Sequence, residues 1–214
     1  MTGHGAVLWY LDRATGLVSL VLMTLTIVLG VLVQRQRRLP GLPRFGVVGL
    51  HRNVALLSAV ALLSAVLVGV HVATAVADSY VDIGRLDAVV PFVSGYRPAW
   101  VGLGTVAVDL LLVIVVTSLL RGRIPARLWR AVHWTSYALW PLAFAHGLGA
   151  GTDLGSGWAL AVAGVCAVAV AVAVTAAVAG RLATRPAPDR APAALAAASA
   201  ALSAGRPAAV FRNR

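Results

Sequence analysis

The chain has 214 residues, 60% of them hydrophobic, and a formal net charge of +11. Its mean hydropathy of +0.88 excludes an ordinary soluble domain and indicates a polytopic helical membrane protein with little chain left for a soluble catalytic module. The single cysteine, Cys166, excludes an internal disulfide, an iron–sulfur cluster and a cysteine-based zinc site.

Five apolar runs separated by polar loops predict five transmembrane helices. The runs are residues 14–33, 51–77, 100–120, 128–149 and 158–179. At about 1.5 Å of helical rise per residue, each can cross a hydrocarbon core roughly 30 Å thick. Pro141 lies inside the fourth run and is expected to bend it. The predicted fold class is therefore all-α, a polytopic membrane helical bundle of about five transmembrane helices.

The loops between the runs alternate in charge. Residues 35–44, residues 121–127 and the segment from 181 are rich in arginine, whereas residues 78–97 and 150–157 are slightly acidic. The positive-inside rule places the N-terminus outside and the C-terminus inside, in a multi-pass protein of the cytoplasmic (inner) membrane. Membrane orientation also accounts for the basic charge without nucleic acid as a partner.

The chain divides by composition into two regions. Residues 1–180 form the predicted transmembrane domain, and its first run is expected to be retained because the basic start of a secretory signal is missing. Residues 181–214 are rich in Ala, Pro and Arg and are expected to form a disordered basic tail in the cytoplasm.

Histidines within the apolar runs are the candidate functional residues. Titratable side chains inside lipid are costly and usually face a cavity, a partner or a cofactor. His71 and His146 each lie near the outer end of a span that runs outward, so we expect them at similar depth. Neutral imidazoles are good axial ligands for haem iron, and this pair could clamp one haem. His133 lies about 20 Å deeper, thirteen residues before His146.

An inner pair of histidines is matched less well. His51 precedes His71 by twenty residues, or about 30 Å, so an inner pair of His51 and His133 would be mismatched by roughly 10 Å on straight helices. Gly16 and Gly30 lie on the first span at the two candidate depths. They either leave room for flat macrocycles or help helices to pack. The residues thus predict one or two haem groups.

Four segments resemble the ferric reductase-like transmembrane domain family, which includes the membrane half of NADPH oxidases and the haem subunit of a bacterial methionine sulfoxide reductase system. The segments are WYLDRATGLVSLVL, GLHRNVALL, HVATAV and WRAVHWTSYALWPLAFAHG. The resemblance implies that His71, His133 and His146 are axial ligands of haem b iron. Family members often carry two histidines about fourteen residues apart on the earlier helix. Here Leu57 stands fourteen residues before His71, and the nearest earlier histidine is His51.

The resemblance implies a b-type haem protein that carries electrons across the membrane, the electron-transfer component of an oxidoreductase. No Gly-rich dinucleotide loop follows a strand, so a separate donor, a quinol or a flavin reductase, is expected. The acceptor outside could be ferric iron, a flavoprotein or a sulfoxide reductase partner. Two alternatives stay open: a scaffold subunit whose histidines only bond neighbouring helices, and a small transporter that uses Asp109 as its coupling group.

Overall fold

The computed structural model describes residues 3–36, 44–78, 81, 83–151 and 157–183. These ranges contain helices and turns and no strand, so the all-α prediction is confirmed. The helices, in chain order, are α1 (Gly3–Gln36), α2 (Arg44–Ala77), α3 (Pro98–Leu119), α4 (Ala126–Trp134), α5 (Ser136–Ala150) and α6 (Gly157–Ala183).

Four of these helices are long and apolar enough to cross a membrane. The spanning segments are Ala6–Arg35, His51–Ala77, Pro98–Leu119 and Gly157–Gly180, in α1, α2, α3 and α6. Segments in lipid become helical because each backbone N–H and C=O must be paired within the segment once water is absent. The chain is therefore a multi-pass membrane protein, and the four segments correspond to four of the five predicted spans.

The fourth predicted span is two helices instead of one. α4 and α5 are separated at Thr135, whereas Pro141, the predicted site of the bend, lies inside α5. The hydroxyl of Thr135 donates to the backbone oxygen of Val132 at 2.6 Å, and that of Ser136 donates to the backbone oxygen of His133 at 2.6 Å. The backbone N–H of Thr135 also bonds to the oxygen of Val132 at 3.0 Å, and that of Ala138 to the oxygen of Thr135 at 2.9 Å. Both bonds run three residues back instead of four, so the α-helical ladder is interrupted locally at Thr135.

Two antiparallel helix pairs form the bundle: α1 packs on α2, and α3 packs on α5. Within the first pair, the Ser64 hydroxyl on α2 donates to the backbone oxygen of Ser19 on α1 at 3.4 Å. The pairs meet where α1 contacts α5. There the indole N–H of Trp140 donates to the Thr24 hydroxyl at 2.9 Å. This interhelical hydrogen bond gives each of the two buried polar groups a partner.

The buried core lies beside this contact. Met23 of α1, Trp140 of α5 and Cys166 of α6 form its centre, and the Trp140 ring stacks on Phe144 with ring centroids 4.9 Å apart. The chain separates into residues 1–175 and residues 176–214, and the site described below belongs to the first unit. The predicted tail lies outside the described residues beyond position 183, so the domain boundary at residue 180 stays a prediction.

Candidate functional site

His71, in the last turns of α2, is held by the beginning of α1. Its Nδ1 lies 2.9 Å from the backbone oxygen of Asp12 and 2.9 Å from the carboxylate Oδ1 of the same residue. Since both neighbours are acceptors, Nδ1 must carry the proton. The lone pair is then on Nε2, which has no hydrogen-bond partner among the described residues. A bond of this kind fixes the tautomer and ring orientation of metal-ligating histidines.

His146, in the last turns of α5, is held in the same way by the beginning of α3. Its Nδ1 lies 2.9 Å from the backbone oxygen of Trp100. The oxygen can only accept, so Nδ1 is again the protonated nitrogen and Nε2 keeps the lone pair. Two histidines from different helix pairs therefore present the same nitrogen as a potential ligand.

A glycine lies four residues after each of the two accepting carbonyls. A Cβ added at Gly16 would lie 3.0 Å from Cε1 of His71, and one added at Gly104 would lie 2.5 Å from Nδ1 of His146. In a helix, residues i and i+4 lie on the same face. A side chain at either glycine would therefore occupy the space that the imidazole needs to reach the carbonyl one turn earlier. The two imidazoles are therefore supported in the same way: His71 by Asp12 and Gly16 of α1, and His146 by Trp100 and Gly104 of α3.

The two imidazoles meet at one end of the bundle. Their ring centroids are 6.2 Å apart and their planes are inclined by 75°. A metal ion held between two imidazoles at about 2.0 Å from each nitrogen would place the ring centroids roughly 6.3 Å apart. The observed spacing therefore suits two axial ligands of one metal centre, and each ring has the required lone pair on Nε2.

Both imidazoles line one cavity of about 1680 Å³. This volume exceeds the 300–1,000 Å³ or so of most small-molecule sites, so a large macrocycle can be accommodated. The wall includes apolar side chains from five helices; among them are Leu20, Val72, Val108, Leu139, Phe144 and Ala163. The cavity also reaches Arg85, Asp87 and Tyr96 in the loop between α2 and α3. The donor set, the two glycines and the apolar wall together fit a bis-histidine haem.

His133 lies away from this pair, in the last turn of α4. Its ring stacks on Trp129 with centroids 4.8 Å apart and an interplanar angle of 15°. Partial desolvation, followed by the positive charge of Arg121, lowers the pKa of His133 below its ordinary value. The guanidinium of Arg121 lies 4.4 Å above the Trp129 ring. His133 is thus one member of a stacked surface cluster.

The remaining polar candidates are not gathered around a second site. His51, on α2, is exposed and makes no hydrogen bond, ion pair or ring contact with a described residue. The described residues therefore do not bring His51 and His133 together. Asp109 on α3 is half-buried, lies outside the described lining of the cavity and makes no ion pair with a described residue. Gly30 faces open space, in contrast to Gly16.

Three residues of the site were missed by sequence reasoning: Asp12, Trp100 and Gly104. Each belongs to a local pattern, an Asp or Trp in the first turns of a span with a glycine four residues later. This spacing marks one helix face and was visible in the sequence. It could not show which histidine would pack on that face, because the partner is 59 residues away in one case and 46 in the other.

Fold and site together define a class of protein: a multi-pass helical membrane protein with two histidines, from two helix pairs, facing one apolar cavity. Residues 15–144 match the family model described as ferric reductase like transmembrane component, and the chain belongs to this family. The match includes His71 and ends two residues before His146. Transmembrane domains of this family generally bind haem and act in membrane electron transfer. Neither the curated proteins nor the solved structures contain a match to this chain.

Proposed function

We propose that His71 and His146 are the axial ligands of one haem b, and that the protein carries electrons across the cytoplasmic membrane to an extracytoplasmic acceptor. The observation that supports this proposal is the geometry of the pair. The two rings share one cavity with centroids 6.2 Å apart, and each uses Nδ1 to bond a backbone carbonyl. Nε2 of each ring has no hydrogen-bond partner among the described residues. Haem held there would supply one-electron chemistry, by alternating between ferric and ferrous iron.

The chain's own contribution is to orient the ligands and to exclude water. The carbonyls of Asp12 and Trp100 hold the two rings, so little freedom remains to be lost when a ligand binds. The Asp12 carboxylate beside Nδ1 of His71 makes that imidazole a more basic ligand. The apolar wall keeps the local dielectric low, which is one of the factors that set the potential of a haem.

The proposed electron donor is a quinol or a flavin reductase, since membrane domains of this family act together with redox partners. On the other side, the loop residues Arg85, Asp87 and Tyr96 line the cavity where it leaves the bundle. By the positive-inside rule this loop is extracytoplasmic, which supports delivery of electrons to ferric iron, a flavoprotein or a sulfoxide reductase partner.

A scaffold role has one observation in its favour, since each histidine does hydrogen-bond a neighbouring helix. It leaves two features unexplained. Each ring uses only one nitrogen in that bond, and both rings line a cavity that a well-packed scaffold would fill.

Reduced-minus-oxidised spectra separate these two functions. We expect protein purified after haem-replete expression to show a b-type α-band after addition of dithionite, with about one haem per chain if His71 and His146 form the only site. A scaffold subunit would show no such band at any haem supply. The absence of the band would remove the proposal.

We also propose that the protein lies in the cytoplasmic membrane with its arginine-rich loops inside. A reporter fused after Arg214 is expected to be active only in its cytoplasmic form, because the segment that precedes it is basic. A reporter that is active only outside the membrane would show that the number of spans or their orientation is wrong.

A further inference from the structure

A strongly basic surface lies at α4 and in the turn before it, away from the histidine pair. Arginines occupy four of the ten positions from 121 to 130: Arg121, Arg123, Arg127 and Arg130. No acidic residue occurs between Asp109 and Asp153, so nothing nearby in the sequence neutralises this charge. All four arginines are exposed. The surface is therefore suited to an anionic partner.

Part of this surface is a shaped groove. Arg121, Ala126, Trp129 and Arg130 line a space of about 350 Å³. The Arg121 guanidinium lies on the face of Trp129, and Nε of Arg130 donates to the backbone oxygen of Ala126 at 3.2 Å, so both cations are held in place. The groove thus presents two guanidinium groups beside an indole ring.

The first turn of α4 adds to the positive potential of the groove. No side chain caps the helix at Pro125, and Ala126, the first helical residue, forms part of the groove. The backbone N–H groups of a first turn have no partner within the helix, and the helix dipole favours negative charge there. A phosphate group can accept hydrogen bonds both from planar arginine side chains and from the backbone N–H groups of this turn.

Exposed apolar side chains on the same helix favour a lipid over a soluble anion. Leu128 is 52% exposed and Trp134 is 60% exposed, although α4 is only nine residues long. A short helix with a basic face and exposed Leu and Trp is typical of segments that lie in the membrane interface. α4 directly follows the turn after α3, directly precedes α5 and contacts both helices.

We propose that the groove formed by Arg121, Trp129 and Arg130 binds the headgroup phosphate of an anionic phospholipid. The exposed apolar side chains of α4 lie against the acyl chains of the surrounding lipid. By the arginine distribution this surface is on the cytoplasmic side, where juxtamembrane basic segments meet negatively charged lipid. This site is separate from the histidine pair and does not depend on haem binding.

Native mass spectrometry of the full chain with phosphatidylglycerol tests the proposal. The double variant Arg121→Gln/Arg130→Gln should bind phosphatidylglycerol about a thousandfold more weakly than the unchanged protein, since each arginine loses a charge-assisted hydrogen bond worth about tenfold or more together with roughly fivefold of general attraction. The matched control, Arg123→Gln/Arg127→Gln, removes the same charge from outside the groove and should lose only the general attraction, about thirtyfold or less. Phosphatidylcholine should bind weakly to all three proteins.

Three results would overturn the proposal. Equal losses in the two double variants would mean that lipid is attracted by diffuse charge and not by the groove. Retention of phosphatidylglycerol by the Arg121→Gln/Arg130→Gln variant would mean that these arginines serve another partner, such as an acidic protein. Displacement of the bound lipid by an excess of inorganic phosphate would assign the groove to a free phosphate compound instead.

Discussion

Replacing His71 or His146 with alanine is expected to remove the same b-type α-band, whereas His133→Ala leaves that band in place. The physical reason is that the two rings line one cavity with centroids 6.2 Å apart, while the His133 ring stacks on Trp129 of α4. Loss of a supporting partner typically lowers metal affinity by 10–100-fold, and loss of an axial ligand should cost at least about that much. The measurement is the reduced-minus-oxidised spectrum together with the ratio of haem to protein.

The His133→Ala variant controls for general damage, since it removes an imidazole from the same predicted span. Circular dichroism should show unchanged helix content in all three variants, because none of the three side chains caps or interrupts a helix. If His71→Ala and His133→Ala removed one shared band while His146→Ala kept it, the pairing proposed here would be wrong. If His51→Ala and His133→Ala each removed a second band, an inner site would exist in addition.

Gly104→Ala is expected to reduce haem retention about as strongly as loss of a supporting hydrogen bond, roughly 10–100-fold. The added Cβ would lie 2.5 Å from Nδ1 and 2.6 Å from Cε1 of His146, distances that force the ring away from the Trp100 carbonyl. Alanine in place of glycine otherwise favours a helix by about 0.5–1 kcal/mol, so weakened helix formation cannot explain the loss. Titration of the purified apoprotein with haemin measures the effect.

Two further glycine variants calibrate this result. Gly16→Ala should have a smaller effect, because its Cβ would approach Cε1 of His71 only to 3.0 Å and a shift of a few tenths of an ångström relieves the contact. Gly30→Ala, on the same helix, meets nothing within 4 Å and should bind haem like the unchanged protein. Equal affinities for Gly104→Ala and Gly30→Ala would contradict the role assigned to the space at Gly104.

Much of the fold was predictable because lipid leaves the backbone few choices. A run such as residues 14–33 must pair its own N–H and C=O groups, so apolar length alone predicts a helix, and α1, α2, α3 and α6 confirm it. The fourth span was predicted as one helix bent at Pro141, whereas the structure divides it at Thr135. There the backbone bonds of Thr135 and Ala138 run three residues back, a local change that hydropathy does not indicate.

The sequence by itself determined which residues could act and at what depth, because helical rise per residue is nearly constant. It indicated that His71 and His146 lie at similar depth, and the structure brings the two rings into one cavity. Only the tertiary structure decided which helix face each ring meets, since that depends on rotation and register between helices that are distant in the chain. Helix rotation and register place the two imidazoles beside the carbonyls of Asp12 and Trp100 and beside the space at Gly104. Hydropathy does not encode either quantity.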